Sequence, residues 1–417
     1  LLGSLSGSAV ANTATTGTFT IPMMRSSGFP RHVAGGVEAA ASSGGALVPP
    51  VMGAGAYMML EIVDPPVTYL QIIRAALLPA CLYYLSLFLI VHFHARRLRA
   101  AGEAPEPGQE PPPLLRFEGL VVLAALGGLV TLLAAGFTVF RAVTVAMLAV
   151  AVVSSLHPRT RLSPRGVFTA LVGSSRAGMP LIAAAACVGI VIGVVTLTGV
   201  GTRLPALILP LAQEHLFSAL VVIMISSVVL GMGLPSAVCY LLLATLIGPV
   251  LGKLGVVPLA AHLFIFYFGL MSMVTPPVAL AAYAASAISG SSFLKTSMAA
   301  FRFALVGFTL PFMFVFRPEL LMLDADGGVA GVGPIVLAVL LAAVGIVPLA
   351  AGIAGYLRGR LGWGRRGALL LAAGLLLYPG RPLFFETQGL TGVNLAGLAL
   401  FLLVALLPRR RAAAGPT

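Results

Sequence analysis

Acidic residues are scarce in this chain. Twelve Asp and Glu stand against twenty-five Lys and Arg among 417 residues, and only 9% of all residues are charged. So few charges cannot coat a soluble globule. There are three cysteines, Cys81, Cys187 and Cys239, each in an apolar segment and without pairing or metal-ligand spacing, which excludes a disulfide framework. No HExxH and no paired aspartates occur, so a membrane-embedded enzyme has no metal or acid–base cluster to rest on. The net charge of +13 does not point to nucleic acid, because the basic residues sit in short loops between apolar runs.

What remains is apolar. Mean hydropathy is +1.05. Runs long enough to cross about 30 Å of hydrocarbon recur along the chain. The spacing predicts spans at 33–60, 67–93, 118–139, 142–156, 179–200, 258–287, 298–316, 333–356, 367–380 and 391–407. The stretch 164–177 reads as an amphipathic surface helix. Arg96 to Arg116 is rich in Pro, Gly and Glu and reads as a solvated linker. Arginine sets the orientation: 94–99, 157–165, 356–366 and 408–411 face the cytoplasm, whereas 61–66 and 323–328 face outside. These assignments agree with one another if 213–251 enters and leaves from the outside as a hairpin.

The chain repeats itself. "GSAVANTATTGTFTIP" (7–22) matches "PSAVCYLLLATLIGP" (235–249), and "ALVPPVMGAGAY" (46–57) matches "MVTPPVALAAY" (273–283). "TYLQIIRAALL" (68–78) matches "SFLKTSMAAFRFAL" (292–305). The offset is about 227 residues throughout, and this alignment sets Asn12 opposite Tyr240. The topology inverts one copy relative to the other. The expected fold is therefore an all-α polytopic membrane protein with an inverted repeat, two re-entrant hairpins and discontinuous helices. The hairpin tips fall at Gly3–Gly7 and at "GMGLP", Gly231 to Pro235. Leu1 lies inside a motif, so an upstream segment carrying the entering arm of the first hairpin is expected.

"SGSAVANTATTGTFTIPMM", "VEAAASSGGALVPPVMGAGAYMM", "GMGLPSAVCYLLLATLIGPVL" and "FGLMSMVTPPVALAAYAASAISG" closely resemble the large permease subunit of TRAP (tripartite ATP-independent periplasmic) transporters. The likeness is best to fused permeases that work with TAXI-type binding proteins, with the chain truncated at its N-terminus. It covers about residues 1–320. It implies sodium-coupled uptake of a small organic anion, a carboxylate such as a C4-dicarboxylate or an amino acid, across the bacterial inner membrane. It also implies a periplasmic TAXI-type solute-binding protein, a small membrane subunit or the fused region upstream, and an elevator-type motion within the lipid bilayer. No cofactor is expected, with sodium as the coupling ion. The units are then 1–95 as the first repeat core, 96–116 as linker and 117–212 as scaffold spans with the amphipathic helix. Residues 213–320 form the second repeat core and 321–417 the extra C-terminal spans.

The four motifs hold one carboxylate, Glu38, no histidine and many hydroxyls. Neutral oxygens at unwound helices suit sodium better than a proton. One sodium is assigned to Ser6, Gly7, Ser8, Gly44 and Gly45, and another to Gly231, Gly233, Thr275 and Pro276. The anion is placed between the tips near Ser8, Asn12 and Ser236. Glu38 is read first as a partner of Arg31 or a snorkelling carboxylate, and second as a coupling group; His262 is read as a packed helix histidine. The alternatives are a channel, a membrane-embedded enzyme, or a permease of the tripartite tricarboxylate family.

Overall fold

A computed structural model describes residues 2–99, 127–155, 161, 163–199, 216–378 and 391–407. The first copy of the repeat contains α1 (Leu2–Ser6), α2 (Ala9–Ser26), α3 (Arg31–Gly45), α4 (Gly53–Ile62) and α5 (Tyr69–Arg99). Then come α6 (Val139–Ser155) and α7 (Pro164–Thr198). The second copy contains α8 (Leu216–Gly231), α9 (Ser236–Lys253), α10 (Pro258–Met271), α11 (Leu280–Ser289), α12 (Phe293–Phe303) and α13 (Leu305–Phe316). The C-terminal helices are α14 (Val332–Ala354), α15 (Trp363–Leu376) and α16 (Gly392–Leu406). Among the described residues four stretches are long and apolar enough to cross a membrane: α5, α9, α12 with α13, and α14.

Both expected discontinuous spans are broken where their proline pairs stand. Proline lacks the N–H that an α-helix needs, and the residue before it is pushed out of the helical region. The span 33–60 divides into α3 and α4, and 258–287 divides into α10 and α11, with a 3₁₀ turn at Ser272–Val274. Each second half starts from a left-handed residue, Met52 (φ 54°) and Ala279 (φ 40°). Non-glycine residues hold that conformation only where the surroundings over-determine it. A single step of 227 residues carries Ala9 to Ser236, Arg31 to Pro258, Met52 to Ala279 and Gly53 to Leu280.

The copies are inverted. The return arm α2 ends at Ser26, and the Phe29 beyond it packs against His94 on α5 at 5.7 Å between rings. Arg97, one turn further along α5, donates to Ala354 O at the end of α14, 3.1 Å away. The return arm α9 ends at Lys253, and the Val257 after it lies beside Gly327, in the loop that precedes α14. One arm therefore runs toward the end of α14 and the other toward its start. The arms also exchange partners. The half-helix α4 packs on α9 of the other copy, and α11 packs on α2.

Two expectations change. The stretch 164–177 is not a separate surface helix, because α7 continues without a break to Thr198. At about 1.5 Å per residue its 35 residues extend roughly 52 Å, more than a bilayer core. The first four residues of the expected linker, 96–99, belong to α5, and residues 100–116 lie outside the described residues. Arg159 and Arg410 lie outside them too. Arg97 and Arg366 both bond to carbonyls at the end of α14, whereas Asp326 precedes its start and Asp64 precedes α5. Cysteines placed at 97 and 366 in a cysteine-free background should therefore label from one side of the membrane, and those at 64 and 326 from the other. Labelling of 97 and 64 from the same side would contradict the inverted arrangement.

Candidate functional site

Glycine brings the broken elements into contact. Gly7 (φ 60°) ends the turn after α1, and Gly53 (φ 60°) opens α4. A Cβ on either would run into the Cα of the other. Gly3 and Gly45 meet in the same way, a Cβ on either lying 2.7 Å from the other's Cα. The backbone of the first tip thus lies directly on the break between α3 and α4. The tip itself is narrower than Gly3–Gly7, because Leu2–Ser6 is helical and only Gly7 and Ser8 form the turn.

The two tips touch. Ser236, the first residue of α9, donates from Oγ to Gly7 O at 2.6 Å. Ser8 caps α2, its Oγ accepting from Ala11 N at 3.3 Å. The N-termini of both return arms therefore converge on one place, and helix N-termini carry partial positive charge. Ser6 bonds back to Gly3 O and Ser8 O, each at 3.4 Å. Of the residues assigned to the first sodium, Ser6, Gly7 and Ser8 lie at the tip and Gly45 faces Gly3. Gly44 faces the other way, into the ring of Tyr83. Ser43 Oγ, buried beside this break, has no hydrogen-bond partner, so an unused hard oxygen is present there.

In the second copy Gly231 O accepts from Ser272 Oγ at 3.0 Å, and Thr275 Oγ1 donates to Met271 O at 2.7 Å. Pro276 stands at the break, and the bond to Pro277 is cis. Gly233 (φ 82°) borders open space. The tip and the break are therefore joined in this copy through Ser272, a residue the sequence reading missed.

Asn12 is buried, and its Nδ2 donates to Ser42 Oγ at 3.0 Å while Oδ1 has no partner. Its counterpart is Cys239, not Tyr240. Asn12 packs on Gly3 and Gly45 as Cys239 packs on Gly231 and Gly269. Tyr240 instead bonds to His262 Nδ1 at 2.8 Å, the packed histidine that was expected. Glu38 corrects a further expectation. It is only 5% exposed, neither paired with Arg31 nor snorkelling. It accepts from Thr16 Oγ1, from Thr20 Oγ1 at 2.5 Å and from Ser42 Oγ at 3.1 Å. The guanidinium of Arg31 lies instead near Gly290, at the C-terminus of α11. Asn12, Thr16 and Thr20 at a spacing of four were the legible signal for this cluster.

A membrane-embedded all-α repeat with touching half-helix tips defines a secondary transporter. Residues 1–325 match the family model described as tripartite ATP-independent periplasmic transporter, DctM component. The chain belongs to this family, which is one of transporters and not of enzymes. It is 23% identical over 341 residues to the 2,3-diketo-L-gulonate TRAP transporter large permease protein YiaN of Escherichia coli strain K12, covering 78% of this chain and 75% of that protein. It is 24% identical over 331 residues to a protein of Haemophilus influenzae strain Rd that carries the name TRAP transporter large permease protein, with the same coverage.

Close approach and open space separate two glycines that share a positive φ. Gly53→Ala adds both backbone strain and overlap with Gly7, and should cost about 2–4 kcal/mol. Gly233→Ala adds strain alone, about 1 kcal/mol. Thermal unfolding in detergent should show the larger drop in midpoint for the first. Equal drops would argue against the packed tip.

Proposed function

We propose that this chain is the large permease of a sodium-coupled importer that takes up a small organic acid from a periplasmic binding protein. The observation that carries the reading is the contact between tips, where Ser236 Oγ meets Gly7 O at 2.6 Å. It brings two helix N-termini, two turns and two helix breaks to one place. Helix N-termini favour a carboxylate, and freed carbonyls and hydroxyls favour a hard cation.

In this reading the first sodium is held around Ser6, Gly7, Ser8 and Gly45, with Gly44 supplying backbone only. The second is held around Gly231, Gly233, Thr275 and Pro276. Carbonyl oxygen has two lone pairs, so the turn bonds these residues make leave acceptor capacity for an ion. The anion lies against Ser8 and Ser236, with Asn12 beneath them. The substrate class is supported by the Escherichia coli relative, whose name specifies a sugar acid. The partners are a periplasmic solute-binding protein, of the TAXI type, and a small membrane subunit or a fused equivalent. The location is the bacterial inner membrane, and the repeat core moves as an elevator against a scaffold.

Reconstitution into liposomes with the binding protein and small subunit tests this. Uptake from a panel of dicarboxylates, oxo acids and amino acids should saturate, require an inward sodium gradient and concentrate the substrate. Full-rate uptake with choline in place of sodium would reject the coupling. Flux that never exceeds equilibration would indicate a channel.

A further inference from the structure

We propose that Glu38, with Thr16, Thr20 and Ser42, forms a proton-binding site that joins the return arm of the first hairpin to the first half of the broken helix. Sodium binding at the tips neither requires nor uses it. Glu38 stands on α3, and both threonines stand on α2. No cationic side chain bonds to the carboxylate among the described residues; its three partners are the hydroxyls.

The hydrogen-bond count admits both protonation states. A hydroxyl has one hydrogen and two lone pairs. Thr16 Oγ1 lies between Glu38 Oε1 and Asn12 O, the latter at 2.8 Å. Thr20 Oγ1 lies between Glu38 Oε2 and Thr16 O, at 2.5 and 3.0 Å. With the carboxylate ionised, both threonines point their hydrogens at it. With Oε2 protonated, the carboxyl donates to Thr20 Oγ1, which turns its own hydrogen to Thr16 O. Asn12 Nδ2 holds Ser42 as a donor to Oε1 in either state. One proton taken from water is thus stored without unpairing any polar atom that was paired before. Thr16 and Thr20 are only half-buried.

The second copy shows that the fold does not need this cluster. The 227-residue step turns Asn12, Thr16, Thr20, Glu38 and Ser42 into Cys239, Leu243, Ile247, Ile265 and Gly269. All the side chains among these are buried, and Cys239 and Leu243 close on Gly269. At these matching positions the helices meet by packing alone, and the polar pair of the same contact, Tyr240 with His262 Nδ1 at 2.8 Å, stands elsewhere on it. A buried carboxylate costs free energy that apolar packing does not. Around Glu38, α5 contributes Tyr84, whose hydroxyl donates to Ala41 O at 2.7 Å. From α11 and α12, Ser289 and Thr296 face α3 at Gly35, one turn earlier. Lys295 and Arg302 of α12 lie near His32, six residues before Glu38.

The test is pH-difference infrared spectroscopy of the 417-residue chain in lipid nanodiscs, in choline chloride, between about pH 5 and about pH 9. A carboxylic C=O band is expected that disappears as pH rises and is lost in Glu38→Gln, a variant that reproduces the neutral form. Thr16→Val combined with Thr20→Val should shift the frequency of that band, because the carboxyl loses both hydrogen-bond partners. If Glu38→Gln does not fold, Glu38→Asp decides instead, because its band must move in frequency. A Glu38 signal that stays carboxylate across the range overturns the proposal, and so does a proton displaced by sodium at constant pH. Neither readout depends on transport, so a failure here is separate from a failure of sodium coupling.

Discussion

A helix broken inside hydrocarbon leaves backbone donors and acceptors without partners, and each one costs several kcal/mol if nothing replaces them. The chain meets part of this constraint with side-chain hydroxyls, Ser236 on Gly7 O, Ser272 on Gly231 O and Tyr69 on Pro50 O and Val51 O, and packs the tips closely on the breaks. Gly7 lies on Gly53, Gly3 lies on Gly45, and Gly231 is tied to Ser272. Only glycine allows backbone to approach so closely, and two of these positions also require a positive φ. Ser236 then spends its hydroxyl on Gly7 O and joins the two copies at their tips. The exchanged packing of α4 and α11 and the convergent N-termini are held by these hydroxyl bonds and close glycine contacts.

The breaks were legible because they are written locally. Pro49–Pro50 and Pro276–Pro277 stop a helix wherever they stand, and their recurrence at one spacing exposes the repeat. The hairpins were legible because glycine and serine interrupt runs that lipid would otherwise keep helical. The tip contact could be expected from symmetry, but its partners could not. Ser236 and Gly7 are separated by 229 residues, and no local pattern pairs a hydroxyl with one distant carbonyl.

Asn12 and Glu38 were misread for two different reasons. Matching "SAV" to "SAV" aligns Ser8 with Ser236, but Ser8 caps its helix and Ser236 is the first residue within one. The one-residue slip turns a helical position by about 100°. It exchanges buried Cys239 for Tyr240. Glu38 seemed paired because Arg31 lies on the same helix, about two turns away. Its actual partners come mainly from α2, and a single-helix argument sees only Ser42, at a spacing of four.

The repeat is symmetric in backbone and asymmetric in chemistry, and the asymmetry has a direction. Where α2 meets α3 the contact is a carboxylate among hydroxyls; at the matching positions of α9 and α10 stand Leu243, Ile247 and Ile265, with the Tyr240–His262 pair beside them. Apolar packing responds little to pH, whereas a contact built on one carboxyl changes its charge with one proton. The buried carboxyl is therefore found in one arm, among the described residues. That arm does not move alone, because α2 also packs on α11 of the other copy, and its cap, Ser8, adjoins the carbonyl that Ser236 holds. A change in the fit of α2 against α3 is thus felt at the break in the second copy and at the contact between tips.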